Sequence, residues 1–135
     1  MTKIMKLGIS LIIIFCVGLG VFTVLNNTVD INEYKEGKAV FKYEDKDIEK
    51  ILKEEDFNYI KSIFNGKYLT SGIPSCGVSK DVSIIIDDQI FSIGCDSCGV
   101  IYWMNKDKYF YLTEEENKKL KEILMEKYEF IFPCI

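Results

Sequence analysis

The chain contains neither histidine nor arginine. Without histidine there is no Ser-His or Cys-His dyad, no imidazole general base and no imidazole metal ligand. Without arginine there is no planar fork to grip a phosphate or a carboxylate. Most hydrolase, kinase and zinc-enzyme mechanisms thereby lose their central group. A lysine or carboxylate mechanism stays open in principle, yet no motif supports one. No catalytic residue and no cofactor is expected.

Charge is missing over one long stretch. From Leu7 to Leu25 the chain reads LGISLIIIFCVGLGVFTVL, with Ser10 and Thr23 its only hydroxyls. At about 1.5 Å per residue, a helix over this run covers the roughly 30 Å apolar core of a bilayer. Lys3 and Lys6 precede the run, and Asp30 and Glu33 are the first charges after it. That asymmetry predicts residues 1–6 in the cytoplasm and an extracytoplasmic C-terminal portion, in a single pass through the cell membrane. A cleaved signal peptide has a shorter apolar core that ends at small residues. Here VFTVL continues past Gly18 and Gly20, and Asn26-Asn27-Thr28 is a poor cleavage site. The run therefore reads as a signal-anchor at 7–25. Cys16 follows the bulky Phe15, where a lipidated cysteine wants a small neighbour, and reads as an apolar packing residue. The run holds no G-x-x-x-G, so nothing in it favours helix pairing.

Residues 30–135 carry 15 lysines against 21 acidic groups, a net charge of −6. Such a surface argues against nucleic acid and against adhesion to anionic headgroups. The partners expected are the membrane, through residues 7–25, and a protein of the cell envelope. Residues 26–37, NNTVDINEYKEG, read as a stalk. Residues 38–135 suffice for one compact domain and not two.

Within that domain, Ala39–Tyr43 alternates as a strand does, and Ile48–Leu52 is a candidate second strand. Val82–Ile86 and Ile90–Ile93 flank the turn Asp87-Asp88-Gln89; Val100–Trp103 and Tyr109–Leu112 flank Asn105-Lys106-Asp107. Consecutive hairpins predict an antiparallel meander. The stretches 52–68 and 112–128 resemble each other, with seven identities in seventeen positions. Both begin with acidic residues, which suit a helix N-terminus, and both continue with apolar residues at helical spacing. Thr113 and Glu116 form a T-x-x-E capping box, and Gly66 suits the position just past the first helix. The likeness is too short to establish a duplication, since two capped strand-to-helix junctions would look alike. The fold class expected is α+β: an N-terminal transmembrane helix, then a small two-layer domain of meander sheet and two helices. The aromatics Tyr102, Trp103, Tyr109, Phe110 and Tyr111 read as cross-strand packing.

Four cysteines follow the anchor: Cys76, Cys95, Cys98 and Cys134. An even count on the oxidising side predicts disulfides. If Asp87-Asp88 is the turn, residue i faces residue 175 − i, which carries Cys76 to the sheet end holding Cys95 and Cys98. The preferred pairing is Cys76–Cys98 with Cys95–Cys134, and the exchanged pairing stays open. Cys95-Asp-Ser-Cys98 also has the spacing of a redox-active C-x-x-C, but such a site opens a helix, and here Gly99-Val-Ile-Tyr-Trp reads as a strand. A four-thiolate zinc site competes for the same sulfurs, although zinc ribbons carry two C-x-x-C knuckles and this chain has one. No metal is assigned. Asp45-Lys-Asp47-Ile-Glu49 matches only the first positions of a calcium loop and reads as a solvated turn. Gly72–Gly77 is turn-rich and reads either as a loop that presents its backbone to a partner or as a connector held by Cys76.

The series PSCG, D-x-C (Asp96-Ser-Cys98), Tyr109-Phe-Tyr before a Thr-Glu-Glu-Glu helix start, and FPC resembles a group of small bacterial proteins. These are exported or membrane-anchored and have no assigned activity. The resemblance spans about residues 50–135 and implies that Cys76, Cys98 and Cys134 belong together. The function expected is a non-enzymatic, membrane-anchored extracytoplasmic binding or envelope-associated domain. The alternatives are a tethered thiol–disulfide exchange protein using Cys95 and Cys98, and a small immunity or inhibitor protein.

Overall fold

A computed structural model describes residues 3–132. The architecture is α+β: an apolar N-terminal helix, then a seven-stranded antiparallel sheet with two helices. Helix α1 spans Lys3–Asn26, and its segment Lys3–Thr23 is long and apolar enough to cross a membrane. None of that segment is buried against the rest of the chain.

The remaining elements are β1 (Gly37–Tyr43), β2 (Lys46–Ile51), α2 (Glu54–Phe64), β3 (Thr70–Ser71), β4 (Val82–Ile86), β5 (Gln89–Ile93), β6 (Val100–Trp103), β7 (Lys108–Tyr111) and α3 (Glu114–Tyr128). Across the sheet the order is β2-β1-β4-β5-β6-β7-β3. The expected hairpin β4–β5 has the expected register, with Ser83 facing Ser92 and Ile86 facing Gln89. Asp87 takes the left-handed conformation that so tight a turn requires (φ +50°). The meander β4 to β7 is extended by the β1–β2 hairpin on one side and by the two residues of β3 on the other.

One face of the sheet is apolar. Phe41, Ile84, Phe91, Ile101, Trp103 and Phe110 project from it and are buried. Phe57, Ile60, Ile63 and Phe64 of α2, with Leu120, Leu124 and Tyr128 of α3, cover them. Phe64 stacks at 5.4 Å from Phe91 and 5.1 Å from Phe110, so α2 is seated on the centre of the meander. Of the five aromatics expected to pack across strands, Trp103 and Phe110 lie in this core. Tyr102 and Tyr109 face each other across β6 and β7 on the outer face, where Tyr109 also meets Tyr111 along β7, 5.7 Å away.

The helix ends follow the sequence. Thr113 accepts the Glu116 amide at 3.2 Å and Glu116 accepts the Thr113 amide at 2.8 Å, closing the capping box. Helix α2 starts at Lys53, which has no side-chain cap. Its first turn, Glu54-Glu55-Asp56, complements the helix dipole instead.

The likeness between 52–68 and 112–128 is realised in space. Each stretch follows a hairpin, β1–β2 or β6–β7, and the sheet reads β2-β1-β4 from one end and β7-β6-β5 inside β3 from the other. All neighbours are antiparallel, so the two halves are related by an approximate two-fold axis between β4 and β5. Equivalent side chains make equivalent contacts. Lys67 pairs with Glu116 at 2.5 Å, and Lys127, sixty residues on, pairs with Asp56 at 2.7 Å.

Residues 26–37 do not form a free stalk. Leu69 donates its amide to Asn27, Val29 donates to Lys67 and Gly66 donates to Val29, all within 2.9 Å. Val29 and Ile31 are buried in the core, 2% and 1% exposed. The Ile31 amide is received by the Asn65 side chain at 2.7 Å. The apolar alternation Val29/Ile31 inside a polar stretch is the trace of this docked segment. The calcium-like stretch 45–49 is the β1–β2 turn followed by β2. Its Asp47 and Glu49 face Lys42 and Lys38 at 3.7 and 2.5 Å.

Candidate functional site

Three of the cysteines, Cys76, Cys95 and Cys98, lie at one corner. Cys95 and Cys98 lie on the loop between β5 and β6, and Cys76 lies on the long connection from β3 to β4. Cys76 and Cys98 are joined by a disulfide across 22 residues of sequence. The route to this bridge differs from the ladder extension that the 175 − i rule implies. Residues 72–81 leave the sheet edge at β3 and cross the outer face to β4 as a strap. Small outward residues make room for it. The Ser92 hydroxyl donates to the Ser79 carbonyl and the Ser83 hydroxyl to the Lys80 carbonyl, both at 2.7 Å, and both serines are fully buried. The disulfide pins the middle of this strap.

Lys121 of α3 holds the loop that carries Cys95. It is 2% exposed, and its ammonium donates to the carbonyls of Asp96 (2.5 Å) and Cys95 (3.2 Å). The Phe132 ring lies 5.1 Å from the same nitrogen. Asp96 turns the loop by accepting the Cys98 amide at 3.1 Å. Gly99 then enters β6 with φ +68°, where an added Cβ would meet the Leu112 carbonyl at 3.0 Å. The segment after Cys98 is thus a strand, as its sequence indicates, and the C-x-x-C does not open a helix. Lys61, the counterpart of Lys121 in the first half, does the same work. It donates to the carbonyls of Asn32 (2.6 Å) and Tyr34 (2.8 Å), holding the chain that precedes β1.

The sulfurs of Cys76 and Cys98 and a carboxylate oxygen of Asp96 lie within 4.8 Å of one another. With the two sulfurs bonded to each other, this set offers a metal one carboxylate. Cys134, the fourth expected member, lies outside the described residues, and Cys16 is exposed on α1. Reasoning from sequence did not single out Lys121, Ser83 or Ser92. Lys121 carried a signal: it occupies an apolar-flanked position between Leu120 and Ile123, where a charge needs a reason.

The second polar cluster is at the far ends of the helices. Asp56, 3% exposed, accepts from Tyr128 (2.7 Å) and Lys127 (2.7 Å), and Tyr128 accepts the Lys53 amide at 2.9 Å. Hydrogen bonds from Lys127 to Asp56 and Glu55 push the Lys127 ammonium above the ordinary lysine range. Burial raises the Tyr128 phenol, which stays protonated. This is a clasp between helices. Clefts open elsewhere on the described surface. One of about 310 Å³ lies on the outer face between Lys38, Glu49, Ile85 and Asp87, and one of about 300 Å³ lies beside α3 between Ser97, Lys118 and Met125.

No protein-family model matches the chain, and neither does any curated protein or solved structure.

Proposed function

We infer that this protein is a membrane-anchored extracytoplasmic domain that binds a partner in the cell envelope without catalysing a reaction. The observation that carries the reading is the contrast at Asn26–Asn27. Before it stands an apolar helix whose segment Lys3–Thr23 is not buried against the chain, and after it a segment hydrogen-bonded into the domain. An unburied helix of this composition is soluble only in lipid. The lysines before it and the acids after it favour an exterior domain. The Cys76–Cys98 bond supports the same side, because disulfides persist in oxidising compartments. The likeness of its cysteine series to small exported bacterial proteins belongs with this proposal.

A thiol–disulfide exchange role for Cys95 and Cys98 is the second reading. The joining of Cys98 to the distant Cys76 favours a staple over an exchange pair. Protease protection of a C-terminal tag in intact cells, followed by cross-linked capture from native membranes, tests the reading. A tag cleaved from outside and a captured envelope protein support it. A tag protected in the cytosol, with the domain thiols reduced, overturns it.

A further inference from the structure

The exit of the anchor is bonded to one edge of the sheet, and that edge is aromatic. Thr28 forms an antiparallel bridge with Tyr68, only three residues beyond Leu25, the last apolar residue of the run. Strand β3 pairs Thr70 with Tyr109, and the same register continued two residues back sets Tyr68 opposite Tyr111. Alternation supports the continuation, since Leu69 and Phe110 are buried while Tyr68 and Tyr111 are 64% and 52% exposed. Tyr109 and Tyr111 touch edge to face on the same side. Three tyrosines thus share the outer face at the edge where the chain leaves the apolar helix. Ile73, 73% exposed, begins the strap at the same edge.

We propose that this tyrosine corner is seated in the headgroup layer of the bilayer that holds α1. The inference rests on the anchor reading above. Three extended residues span at most about 10 Å and the bridge to Tyr68 adds about 5 Å, so Tyr68 lies within about 15 Å of the end of the apolar run. The interfacial layer on each side of a bilayer is some 5–8 Å deep. Tyrosine is the side chain suited to it, with a ring for the acyl boundary and a hydroxyl for water. The tether is short, because Asn27 and Val29 are hydrogen-bonded to Leu69, Lys67 and Gly66. The seat needs no anionic lipid, in keeping with the acidic domain. It also turns the opposite edge, the charged strand β2, away from the membrane and toward solvent.

The test uses the full chain reconstituted in phosphatidylcholine vesicles carrying chains brominated near the headgroup. Tyr68→Trp and Tyr111→Trp are compared with the parent, whose single Trp103 is fully buried and gives the reference emission. The expected result is a blue-shifted emission from each new tryptophan, lost to shallow bromines and protected from iodide in the water. Water-like emission from both variants, quenched by iodide and untouched by bromolipid, in protein that resists alkaline extraction, overturns the seat and leaves the anchor standing. Release of the protein from the vesicles by alkali overturns the anchor reading and the seat with it.

Discussion

Lys127 reaches from the end of α3 to Asp56 in the first turn of α2, 2.7 Å from ammonium to carboxylate, and Tyr128 donates to the other oxygen of the same carboxylate. Asp56 is 3% exposed, so its charge is tolerable only because both oxygens are occupied. Tyr128 meanwhile receives the amide of the uncapped Lys53. Tyr128→Phe strands that amide and one carboxylate oxygen, and is expected to cost about 2 kcal/mol. Urea unfolding of the domain measures it. Asp56→Asn, which keeps an acceptor, is expected to cost less than Asp56→Ala.

The segment after the anchor makes a second prediction. Ile31 is 1% exposed, and Ile31→Ala is expected to cost about 2–5 kcal/mol. A soluble chain beginning at Asn27 is expected to fold with a sharp thermal transition, and one beginning at Lys38 is expected not to. Circular dichroism during heating distinguishes them.

The disulfide is expected to contribute about 3 kcal/mol, chiefly by restricting the unfolded chain over its 22-residue separation. The double variant Cys76→Ser/Cys98→Ser should lower the Tm and expose the amide of Val82, which bonds Ser79 within the strap, to rapid hydrogen exchange. Non-reducing peptide mapping should recover Cys76 joined to Cys98. Cys134 stands two residues past Phe132, whose ring packs on the lysine that holds the Cys95 carbonyl, and the same mapping should recover it with Cys95.

Acid should loosen the other clasp. Burial alone would raise the Glu116 carboxyl, but the Lys67 ammonium and the Thr113 amide and hydroxyl outweigh it and hold the group below the usual glutamate range. The folded protein therefore binds this proton more weakly than the unfolded chain. The stabilisation is complete above the unfolded value of about 4.3 and is lost as pH falls through the lower folded value. Unfolding curves between about pH 3 and pH 6 should show stability declining with acid, and Glu116→Gln should reduce the slope. High salt screens the exposed Lys38–Glu49 and Lys50–Glu129 pairs, leaving the Glu116 contribution easier to read.

Much of the architecture is written in local pattern. Asp87-Asp88 sets a hairpin register because a two-residue turn leaves only one pairing, and T-x-x-E marks the start of α3 because no other arrangement satisfies both amides. What the pattern hides is non-local. Strand β3 is two residues long, too short to alternate, and exists because β7 offers it an edge. The docked segment Asn27–Ile31 reads as polar linker because only Val29 and Ile31 of its five residues are apolar. The strap is visible only through what it covers: Ser83 and Ser92 sit where an open sheet face would carry long polar side chains. For the site, the Cys76–Cys98 bond follows from proximity of the loops, while the role of Lys121 depends on where α3 lies against the Cys95 loop, which no periodicity records.

The hydrogen bonds at Asn27 and Val29 also decide how the domain meets mechanical load. A tug on the domain from outside the cell would act first on these few bonds, which lie in line at the very point of attachment. They would open one after another, as a zipper does. Ten residues, 27–36, would then pay out as much as about 33 Å of extended chain. Because Val29 and Ile31 belong to the core, drawing this segment out would take the fold with it, so attachment and domain would fail together.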